Sequence, residues 1–216
     1  MSEHRIEFAK IGSLSFISHL DFNGSFIRAL KRAGLPLRYS EGFNPHPKIS
    51  YALPLSVGMD GLHELVDISL AEEMTNKEVG ERLAHILTDE FIIRRVETPK
   101  VKMKYVEAAE YAVQFPEYGC TPEEVKAALP HLPPVVKRSK SGEKTVDVSS
   151  MILASNVKIK DDTLLLGLRL PASGETFLNP ELVITALREA GLDLPDGEKV
   201  TRTKILFKAP EPKPEN

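Results

Sequence analysis

Cysteine is almost missing from this chain. Cys120 is the only one in 216 residues, which excludes an internal disulfide and any cysteine-built zinc or iron-sulfur cage within the chain. Long apolar runs are lacking too. No stretch of roughly 18 apolar residues occurs, and the amino-terminal MSEHRIEF has no basic start followed by an apolar core, so neither a membrane span nor a signal peptide is expected. The expected location is cytoplasmic. Nor is there an excess of positive charge. With 28 Lys and Arg against 31 Asp and Glu, the balance speaks against general coating of nucleic acid, although local patches can bind what the average does not. What remains is ordinary globular material, 42% hydrophobic and 27% charged, long enough for two domains of about 100 residues each.

The local patches are uneven. Arg28, Lys31, Arg32, Arg38 and Lys48 face only Glu41 between residues 28 and 48, and acids dominate from 60 to 90. A second basic run, Lys137, Arg138, Lys140 and Lys144, carries Glu143 as its one acid and has the composition of a hairpin tip. Brought together, the two runs would form a concave positive surface suited to a phosphate backbone. Kept apart, they are solvated faces.

The segment RYSEGFNPHPKISYALPLS, from Arg38 to Ser56, dominates the reading. Gly42 permits positive φ, while Pro45 and Pro47 fix their own φ and push Asn44 and His46 out of the helical region. The result is a stiff loop presenting Phe43, Asn44, His46 and Lys48 with little entropy left to lose on binding. Ile49, Tyr51, Leu53 and Leu55 then alternate with smaller or polar residues, as a half-buried strand does.

A strand is expected at His4–Phe8, continuing beyond Gly12 through SLSFI. Ser18 then caps a helix with Asp21 in its first turn. Phe22, Phe26, Leu30 and Ala33 form the apolar stripe of that helix, Arg28, Lys31 and Arg32 its other side, and Gly34 and Pro36 its end. Leu37–Tyr39, Ile49–Leu55 and Leu62–Leu70 follow as strands. Thr75 or Asn76 caps a helix over Lys77–Leu87, and Phe91–Val96 closes the unit as a strand. Strand, helix, strand, strand, helix, strand is the ferredoxin-like plan, with both helices on one face of an antiparallel sheet and the other face open.

A charged linker, Thr98–Lys104, precedes a second unit of matching element order. Its helices are capped by Thr121 and Asn179, with Pro122 and Pro180 at the first positions. The fold expected is α+β, two ferredoxin-like βαββαβ halves in tandem, with antiparallel sheets and helices on one face. Residues 1–98 and 105–209 make the two domains, and 210–216 a disordered tail.

FISHLDF, RALKRAGLPLRYSEGFNPHPKISYALPLSVG and HELVDISL, with KSGEKTVDV and FLNPELVITALRE further on, resemble the bacterial family of radical-SAM-linked proteins, a conserved domain of unknown function. The likeness covers nearly the whole chain. It implies a protein encoded beside, or fused to, a radical S-adenosylmethionine protein, with no established reaction. The family positions matched include His19, Asp21, Arg28, Arg32, Tyr39, Gly42, Phe43, Asn44, Pro45, His46, Pro47, Lys48, Glu64 and Asp67. Asn23 and Gly24 depart from the usual leucine or methionine followed by arginine.

The radical reaction itself needs three closely spaced cysteines to hold a cluster, so it belongs to a partner. His19, Asp21 and His46 have metal-binding chemistry, but their spacing matches no known ligand pattern; neither metal nor cofactor is expected. Glu64 and Asp67, three apart, fall on opposite faces of a strand. One of them is expected to bond the loop through Arg38, Asn44 or His46, with Asp21, Tyr39, Gly42, Pro45 and Pro47 in supporting roles. The function expected is a non-enzymatic adaptor that presents structured RNA, transfer or ribosomal, to a radical S-adenosylmethionine partner through Arg28, Lys31, Arg32, Arg38, Phe43, Asn44, His46, Lys48, Lys137, Arg138, Lys140 and Lys144. One rival is a metal-independent ribonuclease resembling the CRISPR repeat-RNA endonucleases, with His19 or His46 as base. The other is a protein scaffold without RNA.

Overall fold

The computed structural model describes residues 1–139 and 142–208. In the first half β1 (Ser2–Lys10) leads to α1 (His19–Arg32), followed by β2 (Ile49–Tyr51), β3 (Asp60–Leu70), α2 (Asn76–Ala84) and β4 (Phe91–Glu97). The second half comprises β5 (Val106–Phe115), α3 (Pro122–Ala128), a hairpin of β6 (Val135–Ser139) and β7 (Gly142–Val146), then β8 (Ala154–Lys160), β9 (Thr163–Pro171), α4 (Pro180–Glu189) and β10 (Lys199–Phe207). The fold is mixed α+β with a mostly antiparallel sheet.

Helix boundaries follow local chemistry. The Ser18 hydroxyl accepts the Asp21 N–H at 3.2 Å and donates to the Asp21 carboxylate at 2.7 Å, satisfying one orphan donor of α1. Thr75 with Glu78, and Thr121 with Glu124, form reciprocal capping boxes. Asn179 caps α4 ahead of Pro180.

Among the described residues eight strands form one sheet in the order β4-β1-β3-β10-β5-β9-β8, with β2 on the outer edge of β3. Two sheets were the expectation; instead β10 pairs in parallel with the start of β3, Thr201 opposite Asp60 and Arg202 opposite Gly61. This is possible because β2 is short. It occupies only Val66–Ile68 of that edge, leaving the first residues of β3 to β10. Strand order is β4-β1-β3-β2 in the first half and β10-β5-β9-β8 in the second.

The helices cover one face. Phe8 of β1 stacks on Phe22 and Phe26 of α1 and on Phe91 of β4, inside a core that also takes Val79 and Leu83 from α2. A second core joins Tyr111, Val113 and Phe115 of β5 to Val125, Ile184 and Leu187 of the later helices, and it includes Leu55 and Met59 from the first half. The two halves therefore interlock. The opposite face is polar: Glu7 pairs with His63 at 2.5 Å and Arg95 at 2.6 Å, and Arg169 with Glu110 at 2.6 Å. The segment after β4 lies on this face, where Arg5 donates to the Val101 carbonyl at 2.6 Å and stacks over Phe207.

Three expected strands differ. SLSFI is a 3₁₀ turn, Gly12–Phe16, because Gly12 takes φ of 63° and Ser15 Oγ donates to the Gly12 carbonyl. Leu37–Tyr39 contributes only isolated bridges. The strand after the loop stops at Tyr51, since Pro54 has no N–H and the Leu53 and Pro54 carbonyls turn toward Arg202 at 3.2 and 3.1 Å. The tail at 210–216 lies outside the described residues.

Candidate functional site

The loop is a hairpin. Lys48 N–H donates to the Arg38 carbonyl at 2.8 Å, Ser40 N–H to the His46 carbonyl at 2.8 Å, and Tyr39 bridges Pro47. Its root is fixed to the sheet through Arg38 N–H to the Ser69 carbonyl and Ser69 N–H to the Lys48 carbonyl, at 2.9 and 3.1 Å. At the tip Gly42 has φ of 119°, a conformation that favours glycine, and Phe43 stands wholly in solvent. A fully exposed aromatic on a braced tip gains nothing for the fold.

His46 is held but not buried. The Ser40 hydroxyl accepts the His46 backbone N–H at 3.1 Å and lies 3.0 Å from Nδ1. Nδ1 also lies 3.4 Å from the Asn44 carbonyl, so the Ser40 hydroxyl and the backbone of the tip meet the ring on the same nitrogen.

Alternation along the hairpin distributes its cations. Arg38 and Lys48 oppose each other on the side of Ser40 and His46, while Tyr39 and Pro47 occupy the other side. Lys31 of α1 places Nζ 5.8 Å over the Tyr39 ring, a cation-π contact that ties the cationic side of α1 to the root of the hairpin. Arg28 and Arg32 are exposed on the same helix, and Arg28 donates to Ser25 Oγ at 2.8 Å. Lys48 lines a groove of about 540 Å³ with Lys100, Lys102 and Lys104 on the open-face side. The expected cations thus fall on two sides of one hairpin. Lys137 and Lys144 are elsewhere, directly opposite each other in the β6–β7 hairpin, whose buried root Val135 belongs to the second core. Arg138 pairs in register with Glu143, and Lys140 lies outside the described residues. Asn44 is exposed at the tip.

Glu64 and Asp67 do point to opposite faces, but neither bonds the loop as expected. Asp67 accepts two hydrogen bonds from Arg5, at 2.7 and 2.8 Å. Glu64 is buried and takes a bidentate pair from Arg202 of the last strand, at 2.8 and 2.5 Å. Burial works against the Arg202 charge, yet Glu64 more than offsets it and raises the pKa. Sequence reading missed Arg202 and Lys10. Lys10 falls on the inward positions of β1 shared by Ile6 and Phe8; that period-two placement was its one available signal. Its ammonium donates to the Ile17 carbonyl at 3.0 Å and lies 5.2 Å over the Phe22 ring. Burial lowers its pKa, Glu64 partly restores it, and Arg202 lowers it further.

His19 belongs to this buried cluster and not to the hairpin. It meets Tyr51 edge to face at 4.9 Å, and its pKa is lowered by burial first, then by Lys10 and Arg202. Burial also pushes the Tyr51 hydroxyl up; the hydroxyl oxygen is buried without a hydrogen-bond partner. The space between Lys10, His19, Tyr51 and Glu64 is about 10 Å³, room for one water at most. Asp21 is spent on the cap of α1. Among the described residues no three His, Cys, Asp or Glu side chains come together to hold a metal ion, and no helix is long and apolar enough to cross a membrane.

Residues 4–180, which hold β1 through the start of α4, match the model of a family described as uncharacterized protein conserved in bacteria (DUF2344). The chain belongs to that family. No curated protein matches this family member in sequence. Among solved structures it is similar to a chain in a crystal structure of a Cbf5-Nop10-Gar1 complex, at 12% identity and a TM-score of 0.45, covering 94% of this chain and 48% of that one. It thus spans about half the length of that neighbour. A protein of unknown function from Galdieria sulphuraria is similar at 16% identity and a TM-score of 0.29, with 93% and 98% covered. A putative glycine cleavage system transcriptional repressor is similar at 8% identity and a TM-score of 0.25, with 95% and 98% covered. At these scores the neighbours carry no argument about function.

Proposed function

We propose that this family member is a cytoplasmic accessory protein that binds structured RNA, transfer or ribosomal, on behalf of a radical S-adenosylmethionine partner, and that the 38–48 hairpin with the cationic side of α1 is the binding surface. The partner comes from the resemblance to radical-SAM-linked proteins. The RNA comes from the site. One observation carries it: a hairpin anchored to the sheet holds Phe43 in solvent at its tip and carries cations on both sides of its root, Arg38 and Lys48 on one and Lys31, seated on Tyr39, on the other. An exposed aromatic offers a stacking platform for an unpaired base, and cations on either side accommodate the phosphates that flank it. His46, exposed on the same hairpin, adds an imidazole that can contact a phosphate or a base.

The architecture is read in the same spirit as two ferredoxin-like units, residues 1–98 and 105–209, on the strength of their shared strand order and helix placement.

The test is titration of fluorescent transfer RNA at two salt concentrations without added metal, followed by gel analysis of the same samples. Binding that weakens steeply with salt, with the RNA intact, is the expected result. Cleaved RNA that stays intact with His46→Ala would replace this reading with the ribonuclease, and absence of binding would leave the scaffold.

A further inference from the structure

The geometry points to a second interaction surface, the free edge of β2, as a docking strand for an extended acidic peptide from a protein partner; this does not depend on RNA binding by the hairpin. Ile49 and Tyr51 sit opposite Ile68 and Val66 of β3. The residues that flank them make the ladder bonds, Ser69 N–H to the Lys48 carbonyl at 3.1 Å and Ala52 N–H to the Leu65 carbonyl at 3.0 Å. In an antiparallel ladder this alternation turns the amides and carbonyls of Ile49 and Tyr51 away from β3. Among the described residues β2 pairs with no strand other than β3, so these groups form an unpaired edge, of the kind that adds a strand from another chain.

The edge opens into a groove of about 700 Å³ walled on the far side by Val106, Ala172 and Phe177. Phe177 is 44% exposed there, an aromatic wall without a cover. Pro47 and Pro54 bracket the edge, so an added strand has room over Lys48–Leu53 and no further. Charge selects the occupant. The adjoining groove, which shares Ser50, Met103 and Lys104 with the first, is lined by Lys48, Lys100, Lys102 and Lys104 against Glu3 and Asp67. Asp67 is already matched by Arg5. A peptide alternating apolar side chains toward the Phe177 wall with carboxylates toward the lysines satisfies both linings, and its backbone satisfies the edge.

The experiment is a titration of ¹⁵N-labelled protein with a heptapeptide alternating glutamate with valine, isoleucine and phenylalanine. The Ile49 and Tyr51 amides should shift and become protected from hydrogen exchange. The double variant Lys102→Glu/Lys104→Glu, altered at two exposed positions, should weaken binding about tenfold or more while the spectrum stays folded. A peptide with lysine in place of glutamate should bind correspondingly worse. No binding at millimolar peptide, binding that leaves the two amides unchanged, or equal binding of the lysine peptide would each overturn the proposal. So would an oligouridylate that protects the same two amides more strongly than the peptide, since the groove would then be a path for nucleic acid.

Discussion

Arg202 and Glu64 are separated by 138 residues and joined by two hydrogen bonds in the interior. A buried pair with its remaining donors taken by the Leu53 and Pro54 carbonyls is costly to break from one side, because a charge is left without its partner. Glu64→Gln should lower the free energy of unfolding by about 3–5 kcal/mol in urea, whereas Glu64→Met with Arg202→Met should cost markedly less. His19 makes a prediction of opposite chemistry. Its folded pKa lies below the ordinary value of 6.5, so the unfolded chain binds the proton more readily. Stability from a neutral His19 is therefore fully present above pH 6.5 and falls as pH drops toward the lowered value. Unfolding midpoints at pH 7.5 and 5.5 should show that loss in the native protein, and His19→Gln should reduce it. Neither residue's role could be read beforehand. Arg202 looks like an ordinary polar position of a strand, and only the packing of one half against the other makes it interior.

The elements themselves were largely legible. Ser18, Thr75, Thr121 and Asn179 cap the helices as their spacing implies, because capping is chemistry within four residues. The hairpin was legible as a stiff non-helical loop for the same reason: prolines and one glycine act locally. What escaped was the brace supplied by Ser40, whose hydroxyl serves both the His46 amide and its ring. Ser40→Ala should leave the global unfolding midpoint within about 0.5–1.5 kcal/mol of the native value. It should also speed exchange of the His46 amide, followed by NMR, because the Ser40 hydroxyl is that amide's acceptor. The β-strand expected through Leu55 failed because Pro54 and the distant Arg202 decide the backbone there, and neither effect lies within the window of a period-two pattern.

At the scale of the molecule, the repeated element order suggested two sheets and the chain forms one. Nothing in a linear pattern announces that β2 is too short to fill the edge of β3, which is what admits β10. Leu55 and Met59 of the first half also sit in the core of the second. With the halves sharing a sheet, a core and a buried ion pair, calorimetric unfolding of the whole chain should be a single transition; two resolved transitions would mean that the shared edge contributes little. The functional claim is tested most directly by the affinity of the triple variant Phe43→Ala, Arg38→Glu, Lys48→Glu for a structured RNA, measured beside the native protein across a salt series. The account predicts a loss of about tenfold or more, with a shallower salt dependence and an unchanged folded spectrum. Equal affinity and equal salt slope would contradict it.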